Sequence, residues 1–353
     1  MKGCILVTGG AGYIGSHVTL ALLDAGYGVV VADNLSTGCR ELVPPAASFV
    51  FADIGDSQRM RQIMRNHKCN AVMHFAGSTV VPDSVRDPLA YYRNNTCSSR
   101  NLIQATVAAG IDKFIFSSTA AVYGNPERLP VTEDDPAEPV SPYGRSKLMI
   151  EWMLRDAGHA YGLRSVCLRY FNVAGADPQG RSGQSTPNAT HLIKVACEVA
   201  CGRRHAMTIF GTDYPTPDGT CLRDFIHVSD LANAHVEALR HLDAGGEAQV
   251  LNCGYGWGIS VKEVVETVES LINRPLPIEL GPRRDGDIIS MVAAGERIRG
   301  LLGWKPRHAD LTSIIRSALE WERRSLRNSF GRRLIPPCRP AAIDEPPRHH
   351  VIG

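Results

Sequence analysis

The ten cysteines of this 353-residue chain never form a Cys-x-x-Cys pair and stand dispersed, mostly in segments that read as strands or helices. That weakens both a metal-site and a disulfide-framework reading and marks them as reduced core residues, with no metal expected. No apolar run reaches membrane-spanning length. The opening MKGCILVTGG meets a glycine turn after only a few apolar residues, too few for a signal-peptide core. A cytoplasmic location without a membrane partner is the resulting expectation. An excess of one charge is also missing: a formal net charge of +2 leaves no footprint for nucleic acid or another polyanion. Nor does any internal repeat organise the chain.

What is present is ordinary globular material, 44% hydrophobic and 21% charged, long enough for one large or two modest domains. To about residue 170, short apolar runs such as CILVTG, GVVVAD, NAVMHFAG and KFIFSST alternate with longer helical patterns. Strands that are apolar throughout are buried on both faces, so the alternation predicts an α/β fold, a doubly wound parallel sheet flanked by helices. Beyond Phe171 the rhythm loosens into a smaller α/β portion, residues 172–326, packed at the strand ends of the first, 1–171, with the return of a later segment to that first sheet left open. A helix opening on the capping box Ser260 and Glu263 lies within the second portion. From 327 to 353 the chain is rich in proline and charge and reads as a mobile tail. Its His349 and His350 suit a solvated tail better than a metal site.

Three local patterns carry chemistry. In VTGGAGYIGS, Gly9, Gly12 and Gly15 recur every third residue between a strand and a helix. Such spacing suits a phosphate cradle at a helix N-terminus, the alternative being a tight turn with no ligand. GVVVAD ends in Asp33, placed either to accept hydrogen bonds from an adenosine ribose or simply to terminate a strand. Asn34 rather than arginine follows, which favours NAD over NADP. In VSPYGRSKLM, Ser141 and Pro142 suit the start of a helix on which Tyr143 and Lys147 share a face one turn apart. A neighbouring ammonium would draw the phenol towards a pH at which it acts as a base. The same spacing also occurs on plain surface helices.

Taken jointly, the glycine triplet, Asp33, FSSTAAVYG and Tyr-x-x-x-Lys resemble the extended short-chain dehydrogenase/reductase superfamily. Within it, the segments DNLSTG, YYRNN, LRYFNVAGADPQG, IFGTDYPTPDGTCLRDFIHVSDLANAH, NCGYGWGISV and RRDGD resemble its UDP-sugar 4-epimerases, from Met1 to about Leu326. The resemblance implies a Rossmann-type fold, NAD as cofactor, a UDP-sugar substrate and a homodimer. It places Thr119 with Tyr143 and Lys147 as a catalytic triad. Gly9, Gly12, Tyr13, Ile14, Gly15, Asp33, Asn34, Asp53, Ile54, Phe75, Ala76, Gly77, Asn95 and Phe171 would line NAD together with that triad. Asn172, His191, Leu192, Thr208, Ile209, Phe210, Arg223, Arg284 and Asp287 would meet the UDP-sugar with Thr119 and Tyr143. Without the resemblance, Arg223 and Arg284 read as surface salt-bridge partners.

The implied reaction interconverts UDP-glucose and UDP-galactose through a 4-keto intermediate, with UDP-pentoses or UDP-N-acetylhexosamines as alternative substrates. A 4,6-dehydratase would place an Asp-Glu pair after the catalytic threonine, where this chain has Ala120 and Ala121. A non-catalytic NAD-binding regulator would not need the intact triad. Four departures stand out from the family pattern: Thr79 near the cofactor, Met291 at a position that gates N-acetylated sugars, VAAGERI without its usual Asp and Ser, and Lys194 where a proline is common.

Overall fold

Seven short runs of mostly Val, Ile, Leu, Phe and Ala pair side by side, all in parallel, to form the central sheet of the computed structural model, which describes residues 2–186, 189–284 and 288–331. The first six are β1 (Cys4–Thr8), β2 (Gly28–Asp33), β3 (Ser48–Phe51), β4 (Cys69–His74), β5 (Lys113–Ser117) and β6 (Arg164–Tyr170). The seventh, Gln249–Cys253, lies at the edge beside β6, giving the order Gln249–Cys253, β6, β5, β4, β1, β2, β3. Successive side chains feed opposite faces. Ile5, Val7, Val29 and Val31 enter one core cluster, while Leu6, Val30, Val72, Phe114 and Phe116 enter another. Complete burial of each such side chain contributes roughly 1.5–3 kcal/mol, which is why the central strands tolerate almost no polar residue.

Strand order reverses between β1 and β4, and a crevice at the carboxyl ends of such strands is where ligands bind in sheets of this kind. The two portions of the chain interleave here. The edge strand and the helix Val228–Asp243, which lies along the first helix Tyr13–Asp24, both come from beyond Phe171. Position 171 is therefore a crossing point and the chain returns to the sheet after it.

The smaller portion is built from short pairings: Met207–Phe210 with Ile278–Gly281, Leu222–Arg223 with Ile259–Ser260 and Ser290–Met291, and Asn172–Ala174 with Phe225–His227. Helices Leu192–Ala200, Val261–Ile272 and Leu311–Gly331 pack on one another beside them. The second of these opens on the reciprocal capping box of Ser260 and Glu263. The expected start of a mobile tail at 327 falls inside the last helix, which runs to Gly331. Extending a formed helix by a turn fixes few additional dihedrals, so it outlasts its own apolar stripe of Ile314, Ile315 and Leu319. Residues 332–353, with His349 and His350, lie outside the described residues.

Candidate active site

The helix Pro142–Tyr161 begins as its residues dictate. The Ser141 hydroxyl accepts the Gly144 amide at 3.1 Å, and Pro142 occupies the first turn. A cap of this kind contributes about 1 kcal/mol. Gly144 lets the helix start press against the turn Ala120–Tyr123, since a Cβ there would lie 2.5 Å from the Ala121 carbonyl oxygen. Tyr143 and Lys147 are consequently both buried, facing the end of β5.

The phenol of Tyr143 hydrogen-bonds Thr119. The Thr119 Oγ1 also accepts the Ala121 amide at 3.1 Å, which fixes its rotamer. Lys147 Nζ donates to the Ser117 carbonyl at 2.9 Å and sits 4.9 Å from the Phe116 ring centre. The ammonium is thus held by the strand-end carbonyl, one helical turn from the phenol on the same face. Burial pushes the Tyr143 phenol up, and the Thr119 hydrogen bond offsets part of that rise. Burial also draws Lys147 down to about 8, with Glu151 acting against it. The buried phenol therefore keeps its proton at neutral pH until a further positive charge reaches it.

Beside the triad, the glycine turn presses against the start of the next crossover. A Cβ on Gly9, at φ 70°, would lie 2.5 Å from the Ala76 amide nitrogen, and one on Gly15 would lie 2.2 Å from the Gly9 carbonyl oxygen. Gly12 caps the helix Tyr13–Asp24 with no side-chain acceptor and no acid in its first turn, leaving amides to face an anion. The Asp33 carboxylate accepts the Ala11 amide at 3.0 Å and the Leu35 amide at 2.8 Å, holding it at the mouth of β2 beside the turn. Asn34 donates to Asp53 at 3.1 Å; the adjacent Ile54 is buried. The backbone from Phe75 to Gly77 leaves β4 next to Gly9, and Asn95 accepts the Ser78 amide at 2.8 Å while donating to Ser146 at 3.1 Å. Asn95 lies in the π-helical turn Tyr92–Cys97, a distortion common at functional sites. An uncapped helix start, a backbone cradle that only glycine can form and a carboxylate at the second strand end together fit a dinucleotide.

The side chains of three expected cofactor residues also have partners within the protein. The Tyr13 hydroxyl donates to the Gly175 carbonyl at 2.7 Å, so its side chain ties the first helix to the second portion. Ile14 packs against the core, and Phe171 is buried in a small apolar cluster with Ala120, Leu148 and Met291. These residues support the crevice through packing.

The expected substrate residues come from the smaller portion. Asn172 is exposed directly after Phe171, and the exposed His191 exchanges a hydrogen bond with Gln184 at 2.9 Å next to Leu192. Thr208, Ile209 and Phe210 form one strand with Ile209 turned to the core, and the Arg284 guanidinium lies 4.9 Å from the Phe210 ring centre. Arg223 pairs in register with Met291 and donates to the Leu222 carbonyl at 2.9 Å. Asp287 lies outside the described residues.

Sequence reasoning passed over Asp224. It is wholly buried, accepts the amides of Tyr255 at 3.0 Å, Gly256 at 2.9 Å and Ala293 at 3.2 Å, and burial lifts it to about 6. Two of the departures also acquire explanations. Lys194 is buried, donates to the Gln184 carbonyl at 2.9 Å and pairs with Glu322 of the last helix, linking the His191 segment to that helix. Gly295 starts the helix Glu296–Leu302 without a side-chain cap, and a Cβ there would lie 2.8 Å from the Gly254 carbonyl oxygen, so close packing displaces the usual cap residue. Thr79 is exposed, and nothing in the structure explains its choice.

Comparison with known proteins agrees with this geometry. The profile of the NAD dependent epimerase/dehydratase family matches residues 5–254. A UDP-glucose 4-epimerase of Azospirillum brasilense is 61% identical over 327 residues, 93% of this chain and 94% of that protein. Among solved structures, UDP-glucose 4-epimerase from Brucella ovis in complex with NAD has a TM-score of 0.88 at 44% identity, covering 90% of this chain and 98% of its own. The UDP-Glc/GlcNAc 4-epimerase of Campylobacter jejuni has a TM-score of 0.80 at 45% identity, covering 91% and 99%. A dinucleotide cradle at the strand reversal, a Thr-Tyr-Lys group beside it and relatives matched over nearly their whole length lead to one conclusion: the chain belongs to the NAD dependent epimerase/dehydratase family.

Proposed function

We propose that this chain is an NAD-dependent isomerase that interconverts UDP-glucose and UDP-galactose by inverting C4 of the hexose. The observation that carries the reading is the buried Tyr143 phenol, hydrogen-bonded to Thr119 and set one turn before Lys147 at the end of β5, on the carboxyl edge of the sheet that carries the glycine cradle. When bound, NAD takes up and returns the hydrogen on C4 and, in its oxidised form, adds the positive charge that the phenol lacks. Tyr143 accepts the proton of the C4 hydroxyl and later restores it. Thr119 orients that oxygen, and the Lys147 charge favours the phenolate. Between the two proton transfers the 4-keto sugar presents its other face, while Arg223 and Arg284 hold the diphosphate, for which a guanidinium fork is suited. Ala120 and Ala121 offer no acid or base for eliminating water.

The test is conversion of UDP-galactose by freshly purified protein with no cofactor added, alongside release of NAD on denaturation. Conversion together with released NAD is expected, and a chain that carries NAD yet leaves UDP-galactose unchanged would overturn the assignment. UDP-xylose and UDP-N-acetylglucosamine assayed in parallel set the sugar range, to which the buried Met291 beside Phe171 is relevant.

A homodimer is part of the same reading. Val85, Leu89 and Trp152 are exposed on neighbouring helices, an apolar face suited to a second copy, and sedimentation of the purified chain tests it. A cytoplasmic location belongs to the same reading, since the ten cysteines are dispersed and form no Cys-x-x-Cys pair. No described helix is long and apolar enough to cross a membrane.

A further inference from the structure

The face of the helix that carries Tyr143 and Lys147 continues one turn further to Glu151, and all three are buried. Three successive residues at the end of β5 answer them. Ser117 offers its carbonyl to Lys147, Ser118 donates its hydroxyl to Glu151, and Thr119 bonds Tyr143. Glu151 is held from its other side by Arg169 of β6, whose Nη2 donates at 2.7 Å and Nε at 3.1 Å. Arg169 lies in turn 4.9 Å from the ring centre of Tyr123, whose hydroxyl donates to Asn252 at 2.6 Å.

A carboxylate and guanidinium buried together cost several kcal/mol of desolvation, and well-packed apolar residues often serve stability as well or better. Their presence directly beneath the reacting groups calls for another role. We propose that Glu151 is a positioning residue for the epimerisation: it fixes residues 117–119 against the helix and keeps the Lys147 amine in its charged form. This inference rests on the epimerase reading above.

The groups facing Lys147 narrow the electrostatic source to Glu151. His74 on β4 is buried and neutral, drawn down to about 3 by burial and by the Lys147 charge. Tyr143 and Tyr170 are raised by burial and stay protonated, and Phe116 presents only a ring. Arg169 on β6 is positive and opposes the lysine charge. Glu151 is the facing group that supports it.

The experiment compares the NAD-loaded wild type with Glu151→Gln and Glu151→Asp, measuring kcat and KM for UDP-galactose across pH. It also records the ultraviolet tyrosinate signal of Tyr143 as the difference from each protein's Tyr143→Phe counterpart. For Glu151→Gln the alkaline loss of kcat is expected to move down by about one pH unit, about tenfold in rate on that limb. KM should be unchanged, and the Tyr143 tyrosinate signal should move to higher pH. Glu151→Asp, which keeps the charge, should restore both curves. If Glu151→Gln leaves Arg169 unpaired and fails to fold, the double variant Glu151→Gln with Arg169→Met removes the whole pair and should move both curves in the same directions by a smaller amount, because the opposing Arg169 charge is removed as well. A folded variant with both curves superimposed on wild type, or with kcat lowered equally at every pH, overturns the inference. An inactive wild type would overturn the epimerase reading instead, and the tyrosinate signal would still report on Glu151.

Discussion

Replacing Tyr143 with phenylalanine is expected to lower kcat for UDP-galactose by about 100-fold to 10,000-fold while KM and bound NAD stay close to wild type. The size follows from what is removed. A positioned proton-transfer group contributes roughly that factor. The ring is buried and its packing survives the change, so the stability cost is that of one hydrogen bond to Thr119, about 1 kcal/mol. Progress curves with UDP-galactose, set beside the cofactor content of the purified variant, decide the matter. Near-normal turnover would remove Tyr143 from the mechanism. Loss of NAD or a collapsed melting temperature would mean that the phenol supports structure rather than proton transfer.

A second large effect is expected on stability in acid. His17, His74, His227 and His235 are all buried, and burial draws them down to between about 3 and 4 in the folded chain. Unfolded, each titrates near ~6.5. Their contribution is therefore complete above about pH 6.5 and is lost progressively as pH falls towards about 4, because the unfolded chain takes up protons that the folded chain refuses. Asp224 acts the other way. Raised to about 6, it gains stability as pH falls from there towards its ordinary carboxylate value, and it offsets part of the loss. At pH 5 each histidine accounts for about 2 kcal/mol, so the four together rival the whole stability of an ordinary domain, roughly 5–15 kcal/mol. The melting temperature should drop steeply between about pH 6.5 and 5 by calorimetry. A melting temperature that stays level down to about pH 4.5 would show that these histidines are protonated in place.

The sheet and its cradle were readable because they depend on local patterns. Apolar runs such as CILVTG and NAVMHFAG cannot face water on either side, and glycines at three-residue spacing serve backbone approaches that any Cβ would block. What escaped were facts of long range. The sequence allows a later segment to rejoin the sheet but does not say which: Gln249–Cys253 pairs with β6 across some eighty residues, and no local period announces it. Lys147 could be placed on the face of Tyr143, but its partner could not be read, because the Ser117 carbonyl is a backbone group set there by another strand. Glu151 was visible at the next turn of the same helix. A lone charge on a helix ordinarily reads as solvated, and only Arg169, arriving on β6, makes its burial possible. Lys194 likewise stood out as a departure, and its reason, Glu322, lies 128 residues away.

The account rests on the C4 hydrogen leaving and returning within one closed site while Tyr143 handles only the hydroxyl proton. Following UDP-galactose carrying deuterium at C4 as it is converted in ordinary water tests this most directly. Retention of the deuterium at C4 of the UDP-glucose formed is the predicted result. Product that has exchanged the label for solvent hydrogen would contradict it.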